Sequence, residues 1–403
     1  MSRGCCASKQ GLSDHGSRSH VQPRPEIPIH DDCHVRPRPS PEMARHCLVL
    51  RLLGLFWACK VTPEQYNFSH SELGKGDSVK MITRFLIAAT LLCAVLSAQQ
   101  PEAVPPERLE ALKKALAAAA RLPLSAKPFP FVKPATDWEV GIVSCVRMDS
   151  NGDIYVLHRG LKADPVLVFN SEGHLLRSWG KGLFTTPHGL RIDPDGNIWT
   201  VDGGSSMVFK FTKEGKKLLE IPVGGIPDSP DCKGGLCGAT DIAFGPNGRI
   251  FISDGYRNAR VLEYTNDGRK VREWGSAGRG PGQFNLVHGI VYANGALFVA
   301  DRENNRVQKF GLDGSFLGEW TNVGKAYSLA FRDGTMYLGA GILNQTSSSQ
   351  GQRPPGWLLK IDVANGKILA YVDSDRAHHF IEVTPTGELM GGSTPEGFSW
   401  FRK

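Results

Sequence analysis

The 403-residue chain has little of what a membrane span, a nucleic-acid binder or a helical bundle requires. The apolar run inside MITRFLIAATLLCAVLSAQQ, from Met81, is shorter than the ~20 residues of a spanning helix. Net positive charge is small and unevenly placed, since residues 1–80 carry eleven Lys/Arg against eight Asp/Glu, +3 of the total +7. Beyond residue 98 the balance is about +3, which is no footprint for nucleic acid. Helical patterning is confined to PPERLEALKKALAAAARLP at 105–123, where prolines open an Ala- and Leu-rich stretch and predict one helix. Cysteine is scarce beyond residue 98: Cys145, Cys232 and Cys237. The last two flank KGGL, a spacing suited to a local disulfide in an exported protein, and no second Cys/His pair lies nearby to make a zinc knuckle. Cys145 heads an apolar strand and reads as a buried thiol.

What is present divides the chain into four parts. Residues 1–80 hold five of nine cysteines and six of twelve histidines without any repeat, and read as an upstream extension, disordered or not translated; a cytoplasmic tail before a membrane anchor is the alternative. Residues 81–98, with Arg84, an apolar run and small residues around Ala98, have the anatomy of a signal peptide, so a secreted or periplasmic protein is expected. Residues 99–139 supply the helix and a Pro-rich linker. Residues 140–403 are repetitive.

Six units begin at Ser144, His188, Thr240, His288, Tyr327 and His379, at intervals in the range of propeller blades. Each places an apolar strand before a turn (SNGD, PDGN, PNGR, ANGA, RDGT, PTGE) and a second apolar strand after it. The turn residues supply the positive φ that tight hairpins need. Further strands follow, as in VLEYTNDGRKVREWG, so the fold class is all-β, a six-bladed propeller. The last unit has three strands before Lys403, and FPFVKPATDWEV (129–140) is a candidate to complete it. ILNQTSSSQGQRPPGW in the fifth unit reads as an irregular loop.

Histidine opens every second unit. Alternate blades of a six-fold ring are related by about 120°, so His188, His288 and His379 can converge on one axis as an open metal site, best suited to zinc, with iron, copper and manganese as alternatives. Antiparallel pairing places the ends of the second strands beside the starts of the first, bringing Arg159, Tyr256 and Arg302 to the same rim. Arginine offers a carboxylate two parallel donors, and tyrosine beside these cations is a candidate general base. Asp202, Asp254 and Asp301 recur at one repeat position and read as turn-capping carboxylates; His158 and His378 read as structural.

FTTPHGLRIDPDGNIWTVD, SDGYRNARVLEY, PGQFNLVHGIVY and VADRENNRVQKF resemble the peptidyl-α-hydroxyglycine α-amidating lyases, over about 140–403 and most strongly over 184–312. The resemblance implies an NHL-type propeller that cleaves the C–N bond of a peptidyl-α-hydroxyglycine to a peptide amide and glyoxylate. It implies zinc on His188, His288 and His379, Tyr256 as the base, and Arg159 and Arg302 on the substrate carboxylate. It also implies a structural calcium on the carbonyls of Val146 and Leu190 and an aspartate after the third histidine. Phe380 stands in that last place, which counts against calcium. No copper monooxygenase module is read ahead of the propeller, so either a separate chain supplies the substrate or the substrate is a different one, and a monomer is expected. The competing reading is a non-catalytic NHL propeller that binds a protein or glycan on its face; a lactone hydrolase is disfavoured by the lack of a carboxylate-rich axis.

Overall fold

A computed structural model describes residues 105–225, 235–343, 355–394 and 397–403. The extension at 1–80, the signal at 81–98, Cys232 and most of the polar loop of the fifth unit lie outside the described residues. No helix among the described residues is long and apolar enough to cross a membrane.

The six repeats form six antiparallel blades, five with four strands of their own in sequence order and the sixth with three; a fifth, parallel strand joins blade 5 and an earlier segment supplies the fourth strand of blade 6. Their first strands are Val143–Met148, Pro187–Ile192, Ala239–Phe244, Val287–Ala293, Lys325–Arg332 and Phe380–Val383. Each of these packs against the first strand of the next blade, and the sixth packs against the first, so the ring closes around them as a six-bladed β-propeller. First and second strands are buried nearly throughout, whereas outer strands such as Leu175–Trp179 alternate exposed and covered residues. That gradient is the pattern of sheets stacked face to face around an axis.

The chain between the expected linker and the first blade does more than connect. The helix Pro106–Ala118 is shorter than predicted, because Ala120–Arg121 turn extended and pair in parallel with Ile368–Ser374, the outer strand of blade 5. Leu112 and Leu116 of the helix enter the core between blades 4 and 5. Blade 6 is completed by Ser125–Pro128, antiparallel to Gly397–Arg402. The closing strand therefore lies immediately before the segment 129–140 expected from the sequence. Prolines at 130 and 134 deny that segment ladder donors. Its aromatic residues pack instead, with Phe129 stacked on Phe398 at 4.7 Å and Phe131 edge-on to Phe169 at 5.1 Å.

Cys145 is buried and donates Sγ–H to the Leu190 carbonyl at 3.4 Å, as expected of a thiol used for packing; burial raises its pKa. Cys237 is buried.

Candidate metal centre

One irregularity, repeated, builds the site. In blades 1 to 5 the register between first and second strands slips by one residue, and the skipped residue is Ser144, His188, Thr240, His288 or Tyr327. These are the repeat-opening positions. A β-bulge frees its extra residue from the ladder and re-aims it, here toward the axis. His379 lies just ahead of its strand, its N–H bonded to the Gly392 carbonyl at 3.1 Å.

The three histidines are buried, 2–4% exposed, and their candidate ligand atoms lie within 4.8 Å of one another. Each Nδ1 faces a backbone carbonyl of the following blade: His188 the Thr240 carbonyl at 2.6 Å, His288 the Tyr327 carbonyl at 2.6 Å, His379 the Ser144 carbonyl at 2.9 Å. Blades with histidine thus alternate with blades that supply the acceptor. A ring that donates through Nδ1 presents the Nε2 lone pair, the tautomer of a metal ligand. Gly189 permits the approach, since a Cβ there would press on the Thr240 carbonyl oxygen.

The Nε2 atoms of His188 and His379 stand 3.0 Å apart. Two lone pairs at that separation repel unless a cation lies between them, and ligands at about 2.0 Å from a tetrahedral ion stand about 3.3 Å apart. The donor set, the fixed tautomers and the spacing fit zinc.

Tyr256 Oη lies 3.2 Å from Nε2 of both His188 and His288. Arg159 uses Nε to grip Ser144 Oγ at 2.8 Å and the Pro187 carbonyl at 3.0 Å, and burial lowers its pKa. Arg302 uses Nε on Glu303 Oε1 at 2.9 Å, with its guanidinium carbon 6.0 Å from the Tyr256 ring and 5.4 Å from the Tyr327 ring. Burial pulls the Arg302 pKa down, but the oxygens of Tyr256, Glu303 and Tyr327 outweigh it and raise it. All six residues singled out in the sequence therefore belong to one axial rim.

Two partners were not singled out. Lys325, 4% exposed, binds Glu303 Oε2 at 2.7 Å. Burial raises the proton affinity of Glu303, but Arg302 and Lys325 together hold its carboxyl below the usual range. Glu303 lies in the quoted DREN stretch, and Lys325, two residues before Tyr327, opens the first strand of blade 5; those were the available signals.

The other expectations also find their places. Asp202 and Asp301 are fully buried turn caps: Asp202 accepts the amides of Thr185 at 2.9 Å and Thr186 at 2.5 Å, Asp301 that of Asn285 at 2.7 Å. Asp254 departs from the expected backbone acceptance and binds side chains, Asn258 Nδ2 at 3.0 Å and Arg260 Nε at 2.8 Å, because that turn carries the donors itself. His158 accepts the Gly141 and Gly160 amides on Nδ1, and His378 bonds Ser374 Oγ at 2.7 Å.

The calcium positions do not fit calcium. The Val146 carbonyl accepts Arg147 Nη1 at 2.6 Å and the Leu190 carbonyl accepts Cys145 Sγ, so a guanidinium and a thiol already occupy them. Phe380 is buried and apolar. The neighbouring carboxylates Glu382 and Asp241 lie against Arg147 and Arg191, so they are already neutralised by guanidinium groups.

Fold and site define a six-bladed propeller with an axial three-histidine centre, and the family model for the NHL repeat matches residues 284–310. The chain is related to the peptidyl-α-hydroxyglycine α-amidating lyases. It is 27% identical over 287 residues to the Caenorhabditis elegans protein named "Probable peptidyl-alpha-hydroxyglycine alpha-amidating lyase pgal-1", covering 62% of this chain and 79% of that one. To peptidyl-alpha-hydroxyglycine alpha-amidating lyase 1 of Drosophila melanogaster it is 29% identical over 238 residues, 49% of this chain and 43% of the fly protein. To the peptidyl-glycine alpha-amidating monooxygenase of Mus musculus it is 32% identical over 217 residues, which span 45% of this chain and 22% of the mouse protein.

Proposed function

We propose that this protein is a metal-dependent lyase that cleaves the C–N bond of a peptidyl-α-hydroxyglycine, releasing a peptide amide and glyoxylate. The observation that carries the reading is the phenol oxygen of Tyr256, 3.2 Å from two of three inward-facing Nε2 atoms, on the rim that holds Arg159 and Arg302.

The two arginines are anchored through Nε, which leaves their terminal nitrogens for the substrate carboxylate, a planar match. Glu303 would neutralise Arg302, but Lys325 shares that carboxylate and keeps the rim cationic. Zinc on the three Nε2 atoms would supply Lewis acidity toward the substrate hydroxyl oxygen. Tyr256 takes the hydroxyl proton; as the C–O bond becomes a carbonyl, the C–N pair leaves with nitrogen, which takes up a proton to complete the amide. Glyoxylate remains on the arginines until release. Export through residues 81–98, a Cys232–Cys237 disulfide and a monomeric state complete the proposal.

Protein expressed from Met81 should carry about one zinc per chain and release glyoxylate from a peptidyl-α-hydroxyglycine. His188→Ala should abolish both. Undiminished glyoxylate release by metal-free protein would overturn the metal-dependent reading, and absence of release by zinc-loaded protein would favour the binding-only propeller.

A further inference from the structure

The opposite mouth of the axis, where the first strands end, holds a cavity of about 330 Å³, in the range of small-ligand pockets. Its walls are uneven for a reason in the repeats. Three residues past the repeat start stand Arg147, Arg191 and Glu382 in blades 1, 2 and 6, but Val291 and Ala330 in blades 4 and 5. The short side chains leave the space, and the long charged ones border it.

A count of hydrogen-bonding capacity shows what the cavity is short of. Its turn carboxylates are already engaged: Asp149 accepts the amides of Asn151 at 2.8 Å and Asp153 at 3.1 Å, and Asp193 accepts the amides of Asp195 and Asn197 and the Trp199 indole. Arg191 is engaged as well, on both oxygens of Asp241 and on the carbonyls of Ile290 and Leu329. Two lining arginines are engaged only in part. Arg147, 5% exposed, spends Nη1 on the carbonyls of Val146 and Ile381, but its Nε has no hydrogen-bond partner and lies 3.6 Å from Glu382 Oε2. Arg332 donates Nε to the Val383 carbonyl at 2.8 Å, and among the described residues its two terminal nitrogens have no acceptor. Glu382 is the one lining carboxylate that faces them, and it also accepts the Met148 amide at 3.4 Å. Arg147 Nε is a buried donor without a hydrogen bond, which is costly, the half-buried Arg332 offers its terminal nitrogens beside it, and oxygen-rich anions satisfy guanidinium forks in pairs.

We propose that this second mouth binds a small oxyanion, a phosphate or a short dicarboxylate, through Arg332 and Arg147. The site is separate from the histidine rim, which lies at the other ends of the same strands. The proposal does not depend on the lyase reading.

The test is a thermal-melting titration of the holoprotein with inorganic phosphate and, in parallel, with succinate, chloride holding the ionic strength constant. A saturable rise in Tm with either anion is expected, and the anion that gives it identifies the source. Arg332→Gln, at a half-buried position that should fold, is expected to weaken half-saturation about tenfold, while Arg302→Gln on the histidine rim should leave it unchanged. No saturable rise with either anion, a rise untouched by Arg332→Gln, or a rise that depends on Arg302 would overturn the proposal.

Discussion

Tyr256 touches both Nε2 atoms through a single oxygen, so Tyr256→Phe removes the proton acceptor and little else. Zinc content should stay unchanged while glyoxylate release falls by about 10²- to 10⁴-fold, the ordinary share of a general base; metal analysis beside a rate assay checks both. Lys325→Met should leave Glu303 to Arg302 alone and weaken the grip on the substrate carboxylate, raising KM about tenfold with kcat little changed. Steady-state kinetics read that split, and Lys325→Arg should restore KM. Tyr256, Arg159 and Arg302 were legible because strand pairing brings the residues just past the second strands to one rim. Glu303 and Lys325 were not, because their meeting joins blades 4 and 5 and no spacing along the chain records it.

At the scale of strands, the bulge at each repeat start and the glycine ending a second strand decide where the side chains point. A Cβ on Gly255 would collide with the backbone carbonyl and amide of Val287, which precedes His288. Gly255→Ala should therefore force blades 3 and 4 apart and move Tyr256 and His288 together, lowering Tm and cutting activity at least about tenfold, since misplacement of about 1 Å can cost 10²-fold. Loss of the strand Ser125–Pro128 tests the closure: a chain starting at Phe129 should lose the cooperative melting transition and aggregate, because the blade 6 edge at Gly397–Arg402 is left unpaired. The need for a closing strand was legible from the three-stranded last unit, but its position was not. Short exposed SAKP carries no apolar alternation, and its pairing is set by what remains open on blade 6.

For the whole molecule, the ring is held by its axial ties. On the metal-dependent reading, a zinc-directed chelator should lower Tm along with activity, since a ligand that binds only the folded state stabilises it. A calcium-selective chelator should leave Tm unmoved, because Arg147 already holds the Val146 and Ile381 carbonyls; calorimetry with each chelator separates the two. By itself, the sequence determined the number of blades, the order of strands within them and the three-fold alternation of histidine, because hydrophobic period and turn chemistry act locally and repeat. Only the tertiary structure decided that the histidines face inward with defined tautomers, that Lys325 shares Glu303, and that a guanidinium stands at the expected calcium position. Each of these depends on bulges and carbonyls from neighbouring blades, which meet only when the ring closes.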